Sequence, residues 1–387
     1  MTAHAYAAAG VDIEAGDDFS AFCGRLFRST WAHSPFVEVH DYSSGHFRGP
    51  RAFRYRNLPA DALFDAAPDG IGTKSIVIDA AGSYTGAAAN LVAMTAGDVT
   101  RWGGKPCIFI NNFDVSSLGR WSTASHQAAR RLMEGLALVA GKQRFVCFKG
   151  ETAELGPCVG SENHEATLTF NWCGVMLGVY LPDRMITGSA LEPGQAVVAL
   201  WERGLRSNGI SAARRALRNR FGEEWWRSEN AGTMVGEIAY PATLYDIFLA
   251  DMNGWMNRIL SPSFKFHLIS HITGGGIVSK FAEDMLFPRG LSAELDGLFP
   301  PSETMKQVVE WSETPEEERY QTFCCNNGVL VVLDEFEVDA FVKSAKSYDL
   351  LARRAGRITK EHTPELRIKS GFSGRSLSYH PKAQSAS

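Results

Sequence analysis

The stretch "PDGIGTKSIVID" (68–79) sets an acid, two glycines, a threonine and a lysine ahead of a short apolar run. "SIVID" (75–79) reads as a strand, which leaves Asp69, Gly70, Gly72, Thr73 and Lys74 in the turn before it. None of these five residues builds a core. Glycines let a backbone approach a phosphate closely. Lys74 offers a point charge to phosphate oxygens, and Asp69 is a hard oxygen donor suited to Mg²⁺. The spacing is not that of a Walker A loop. Taken alone, the stretch is equally a glycine-rich turn with an Asp cap.

Working outward, strand and helix patterns alternate on both sides. "TGAAANLVAMTAGDV" (85–99) has helical composition and carries Asp98 near its end, where the helix dipole disfavours an acid. "PCIFINNF" (106–113) and "RFVCFKG" (144–150) read as strands. They flank a helix with Ser122 or Thr123 at its N-cap and an apolar stripe at Ala128, Leu132, Leu136 and Val139. "ATLTFNWCGVMLGVYL" (166–181) is a further strand region. "PDRMITGSALEPGQ" (182–195) breaks the pattern and marks a domain boundary.

The alternation then resumes. "AVVALWE" and "FKFHLISHI" (264–272) read as strands, and "SAARRALRNRFG" and "PATLYDIFLADMNGWMNRIL" as helices. "GVLVVLDEF" (328–336) is a strand and "VDAFVKSAKSYDLLARRAG" mostly helix. The expected organisation is an N-terminal domain over 1–185, a C-terminal domain over 190–360 and a tail over 361–387.

The chain has 387 residues, 45 % hydrophobic and 21 % charged, with net charge −4 from 39 basic and 43 acidic residues. That is a globular profile with no electrostatic footprint for nucleic acid or an anionic membrane, so a small-molecule substrate is expected. Seven cysteines without a C-x-x-C pair point away from a disulfide framework or zinc site and toward a reducing cytoplasm. The N-terminus does not read as a signal peptide.

Three other stretches carry candidate chemistry. In "KGETAELG" (149–156), Glu151 follows a strand, where ligands of α/β folds gather. Glu151 and Glu154 can hold metal there, and Thr152 can donate to phosphate. In "HITGGGIV" (271–278), three glycines follow a strand and open a helix, presenting backbone N–H groups to an anion. In "GLRSNGIS" (204–211), Ser207, Asn208 and Gly209 make a polar turn. Each of these is also what an ordinary turn or cap needs.

Their order along one chain is more specific. "YAAAGVDIEAG" (6–16), "DGIGTK", "NLVAMTAGDV", "GETAEL", "RSNGIS", "HITGGG" and "YQTFCCNNGVLVV" resemble, in sequence, the aminoimidazole ribonucleotide (AIR) synthetase family, the phosphoribosylformylglycinamidine cyclo-ligases, over residues 5–360. The resemblance implies a mixed α/β, two-domain fold whose N-terminal strands form a barrel shared by a homodimer. It implies a cytoplasmic ligase of purine biosynthesis that binds ATP and Mg²⁺ and acts on a small phosphorylated or amide substrate. ATP phosphorylates an amide oxygen, and a nearby nitrogen then closes an imidazole ring. By motif match, Asp69, Asp98 and Glu151 are the metal-side acids and, with Lys74, the catalytic set. Gly70, Gly72, Thr73 and Thr152 contact the nucleotide, and Asn208, Thr273, Gly274 and Gly275 line the cleft from the other domain.

The sequence also departs from the family. The usual glycine-rich loop is replaced by a His- and Arg-rich segment (31–59). Arg206 stands where His is usual, Asn111 where an acid is usual, and "TFCCNNG" where a smaller turn is usual. These changes point to a divergent member with an altered acceptor, such as the selenide, thiamine phosphate or carbamoyl-thiol of relatives, or to a nucleotide-binding subunit without turnover. A selenide enzyme needs a reactive early cysteine. Cys23, in "FSAFCGRLF", reads instead as a core residue.

Overall fold

A computed structural model describes residues 13–43 and 49–382. Most of the opening motif, 6–12, lies outside the described residues. The chain divides into two compact units, one of residues 1–184 with 239–261 and one of 185–238 with 262–387.

The first unit is built on a four-stranded sheet in the order β3–β6–β4–β5, from Leu63–Gly70, Phe170–Tyr180, Lys105–Val115 and Val146–Glu154. β4 and β5 run parallel and the other neighbours antiparallel. Helix α1 (Ile13–Ser29), α2 (Lys74–Ala81), α3 (Tyr84–Thr100) and α4 (Ala124–Gln143) complete it. Thr123 caps α4 as expected, its side chain accepting from the His126 N–H.

"SIVID" is helix α2, not a strand; the strand is β3, which ends at Gly70. A run of five residues with only Ile76, Val77 and Ile78 apolar cannot distinguish the two states by periodicity. Two glycines decide the outcome. Gly72, at φ +55°, turns the chain out of β3, and Gly82, at φ +62°, closes α2 in the left-handed conformation. Between them Val77 and Ile78 are completely buried.

The segment 31–59 forms a hairpin of β1 (Val37–Asp41) and β2 (Arg51–Tyr55). Its apolar residues Val37, Val39, Phe53 and Tyr55 pack against the core of Cys107, Ile108, Val146, Phe148 and Val179. Phe53 meets Phe148 edge-on at 5.0 Å, and Tyr55 stacks on Phe64 at 4.5 Å. Its basic residues stay at the rim, where Arg51 lies 3.6 Å from Asp41. Residues 239–261 return to this unit. Trp255 is buried in the same core and donates from Nε1 to the Gly103 carbonyl. The helix expected over 241–260 is only the short Asp246–Met252.

The second unit holds a seven-stranded sheet, β13–β12–β9–β11–β7–β10–β8, mostly antiparallel. β7 (Ala196–Trp201) and β10 (Asn327–Leu333) lie inside the sheet, and every residue of β10 is buried. β8 is Leu268–His271 and β9 is Ser292–Leu295. β11 (Ala352–Thr359) replaces the second half of the helix expected after 338. Helix α5 (Ile210–Phe221) ends at Gly222, as its sequence indicates.

The stretch 361–387 is not a structureless tail over its described part. β12 (Leu366–Lys369) joins β9 and β13 (Ser376–Tyr379) joins β12. Leu366 and Ile368 are fully buried. An apolar–polar alternation only four residues long is too short to show against the surrounding Ser, Lys and Gly.

Candidate functional site

In the first unit the sheet register places the predicted acids. Asp69 lies opposite Gly174, which lies opposite Asn111, which lies opposite Gly150. One residue along, Gly70, Cys173, Asn112 and Glu151 form the next row. Residues paired across strands share a face, and successive residues alternate faces. The Asp69 row faces the helices, since a Cβ on Gly174 would strike the Phe109 ring and one on Gly150 would meet Phe27 of α1. The Glu151 row faces the other way.

On the helix side, Asp69 lies within reach of the Asp98 charge. Asp98 lies in the last turn of α3. Burial raises the Asp69 carboxyl above the usual range and the Asp98 charge raises it further, against the Gly70 N–H donated at 2.6 Å. Arg101 stands 3.8 Å from Asp98. Two carboxylates gathered on one face, beside a glycine turn and with one cation near, are a hard-oxygen set of the kind that holds Mg²⁺, which takes one or two carboxylates and keeps several waters.

Glu151 does not join them. It lies within β5 rather than after it, on the opposite face. Among the described residues no group of three His, Cys, Asp or Glu side chains could hold a metal ion. The expected Asp69–Asp98–Glu151 set is therefore not assembled within one chain. Glu151 instead borders a concavity of about 600 Å³ with Pro68, Asp69, Ile110, Asn112, Lys149 and Cys173, although the Asp69 side chain leaves the other face of the sheet. Asn112, Lys149 and Cys173 were not singled out from sequence, because only the strand register brings them together.

Lys74 is fully buried, and its ammonium donates to Asn90 Oδ1 at 2.6 Å and to the Tyr240 carbonyl at 2.9 Å. It fastens the start of α2 to α3 and to the returning segment. Thr73 precedes it at the N-cap without a side-chain capping bond. Thr152 shares the helix-side face with Asp69 through its pairing with Phe113. Asn111 is 4 % exposed and accepts from Trp172 Nε1 at 2.5 Å. A buried position already matched to an indole donor suits a neutral amide better than an acid. Cys23 is partly buried rather than a full core residue, and burial pushes its thiol up to about 12, against the thiolate that a selenide-type reaction needs.

In the second unit the remaining motifs converge. A Cβ on Gly274 would lie 3.6 Å from Asn208 Oδ1. Gly276, at φ +62°, approaches so closely that a Cβ there would lie 2.2 Å from the Tyr320 carbonyl oxygen. Asn326 donates to the Glu202 and Arg203 carbonyls at 2.7 and 3.0 Å. The loops of "RSNG", "TGGG" and "YQTFCCNN" thus form one patch. Behind the glycines runs Val278–Leu286, wound with i→i+5 hydrogen bonds, a form often found at functional sites. Arg206 is 1 % exposed, donates to Glu202 Oε2 at 3.1 Å and reaches His271 Nε2. Since arginine only donates, His271 Nε2 is the acceptor in this contact.

Residues 192–369 match the family AIR synthase related protein, C-terminal domain. A phosphoribosylformylglycinamidine cyclo-ligase from Synechococcus sp. (strain CC9605) is 27 % identical over 365 residues, covering 93 % of this chain and 96 % of its own length. Thiamine-monophosphate kinase from Stenotrophomonas maltophilia K279a shares the fold with a TM-score of 0.59 at 12 % identity, covering 92 % of this chain and 97 % of its own. Hydrogenase maturation protein HypE, solved in complex with ATP, has a TM-score of 0.55 at 12 % identity, with 84 % and 87 % covered. The motif order, the mixed α/β fold and these likenesses agree: residues 192–369 match the AIR synthase related C-terminal domain, and the chain is similar over nearly its whole length to cyclo-ligases of the AIR synthase superfamily.

Proposed function

We propose that this chain is an ATP- and Mg²⁺-dependent enzyme that activates an amide oxygen by phosphorylation and then closes a ring, as phosphoribosylformylglycinamidine cyclo-ligase does. The observation that carries the reading is the register that sets Asp69 on the helix side of the sheet, within reach of the Asp98 charge and beside the Gly70–Gly72 turn. In the chemistry the γ-phosphoryl group passes to the amide oxygen and ADP leaves. A substrate nitrogen then attacks the amide carbon, the C–N bond forms and phosphate departs. Mg²⁺ held by Asp69 and Asp98 would offset charge on the transferring group. The patch of Asn208, Thr273, Gly274 and Gly275 supplies backbone N–H groups and an amide for anionic oxygens.

A homodimer belongs to the same reading. The sheet face of the Glu151 row carries exposed Phe64 and Pro68 with partly exposed Ile110, Val175 and Leu177, an apolar surface that a second copy would cover. Phe64→Asp would then shift the mass measured by light scattering from dimer to monomer.

The reaction is tested by ADP release from Mg-ATP with and without formylglycinamidine ribonucleotide. Substrate-dependent ADP supports the proposal. ADP formed only with another acceptor identifies a divergent phosphotransferase, and tight ATP binding without ADP a non-catalytic subunit; either result overturns the cyclo-ligase assignment.

A further inference from the structure

The helices of the second unit enclose a concavity that the nucleotide reading leaves unused. It measures about 610 Å³, within the usual range of small-molecule sites. Three segments build it: the end of α5, the helix Gly232–Ala239 with Asn230 before it, and the helix Glu303–Trp311. None of Asn208, Thr273, Gly274 and Gly275 lines it.

Helical spacing explains why polar groups gather there. Thr304, Gln307 and Trp311 recur at i, i+3 and i+7 and share one face, while Met305, Val308 and Val309 are buried on the other. Thr233 and Glu237, four residues apart, share a face of the second helix, and Met234, only 6 % exposed, lines the concavity beside them.

One wall is aromatic and carries a cation. The Phe221 ring meets Trp311 edge-on at 5.6 Å, and the Arg220 guanidinium lies 5.5 Å from the centre of the Trp311 ring. Asn219 donates to the Trp311 carbonyl at 2.8 Å and Arg215 to that of Ser312, so this wall is fastened in place by the protein itself. Glu237 is held by Arg203 at 2.9 Å. Among the described residues no carboxylate pairs with Arg220, and the side chains of Asn230, Thr233, Thr304 and Gln307 make no hydrogen bond. The concavity therefore offers one uncommitted cation and four neutral hydrogen-bonding groups.

We propose that it binds a nucleoside monophosphate. The Arg220 guanidinium presents a planar pair of donors to the phosphate. The amides of Asn230 and Gln307 each donate and accept, as the edge of a base requires. The Thr233 and Thr304 hydroxyls suit a ribose, and the ring wall gives the flat base an apolar surface. A bare phosphate would engage Arg220 and leave the four neutral groups unused. The inference does not rest on the metal reading of Asp69.

The test is calorimetric titration of the full-length protein with adenosine monophosphate, with Mg²⁺ and a non-hydrolysable ATP analogue present at saturation to fill any ATP site. Wild type is expected to bind the monophosphate, and to bind adenosine or inorganic phosphate about tenfold or more weakly, as loss of a charge-assisted contact or of the base contacts does. Arg220→Gln should weaken the monophosphate by about tenfold or more and bind it no better than adenosine. Gln307→Leu should weaken monophosphate and adenosine alike. Arg220 is exposed and Gln307 half-buried, and circular dichroism checks that both variants fold. Three results would overturn the site: no binding to wild type, displacement of all bound monophosphate by the ATP analogue, or wild-type affinity in both variants. Inorganic phosphate binding as tightly as the monophosphate would overturn it too, since the neutral groups would then read nothing.

Discussion

Asp69 and Glu151 stand one register row apart on the four-stranded sheet and leave opposite faces of it. The chain's two most suggestive acids, each beside a glycine in sequence, therefore send their side chains to different sides of the sheet. Asp69 feels the Asp98 charge on the helix side, and Glu151 borders a concavity with Asn112, Lys149 and Cys173 that the Asp69 position also lines.

The separation gives different kinetic outcomes. Asp69→Asn should abolish ATP turnover and weaken Mn²⁺ binding by about tenfold or more. Glu151→Gln should lower kcat/KM about tenfold or more while the Mn²⁺ isotherm stays as in wild type. Steady-state kinetics and Mn²⁺ titration of the two variants decide this; an equal loss of metal affinity in both would contradict the opposed faces.

The Asp69 carboxyl is raised by burial first and by Asp98 second. An acid whose folded value is raised binds its proton more tightly in the folded state. Its contribution to stability is present below the unfolded value and is lost as pH rises through the raised folded value. Ionised Asp69 therefore destabilises the fold near neutral pH. In EDTA, Asp69→Asn should raise the thermal midpoint by about 1–3 °C at pH 7, and the gain should vanish at about pH 3.5. Scanning calorimetry at the two pH values measures it.

Arg206 and Glu202 are a buried ion pair, 1 % and 0 % exposed. Removing one partner leaves an uncompensated charge, so Arg206→Met should cost the second unit about 3–5 kcal/mol in urea unfolding. The double variant Arg206→Met with Glu202→Gln should recover part of that loss, and a strictly additive double variant would show that the pair is not coupled.

Glu316 anchors the C-terminal strands. Burial would raise its carboxyl, but hydrogen bonds from Ser370, Ser373 and Arg375 overcome this and hold it down at about 2. A depressed carboxylate contributes stability above its unfolded value and loses it as pH falls toward the folded one. Hydrogen exchange in β12 and β13 should therefore accelerate between about pH 4.5 and pH 2. Glu316→Gln should show the faster exchange already at neutral pH. Protection unchanged by either treatment would mean that the strands do not depend on Glu316.

How much was legible in the sequence follows from which signals are local. The strands of β4, β6, β7 and β10 were legible because long apolar runs rich in strand formers have few alternatives. The Thr123 cap and the Gly222 stop were legible because capping chemistry is local. "SIVID" was misread because a buried run of five residues fits helix and strand equally. The same error hid β3, and with it the placement of Asp65 and Asp69 on one face. The opposed faces of Asp69 and Glu151, the burial of Lys74 against Asn90 and the return of Trp255 to the first unit all depend on pairings between residues far apart in the chain. A single sequence does not display those pairings.

The central claim is that Asp69 and Asp98 hold the metal of a bound nucleotide on the helix side of the sheet. A crystal structure with a non-hydrolysable ATP analogue and Mn²⁺, read by anomalous scattering, tests it directly. The expected result is an anomalous peak in contact with Asp69 and Asp98. A nucleotide bound with its manganese on the Glu151 face, and no peak beside Asp69, would contradict it.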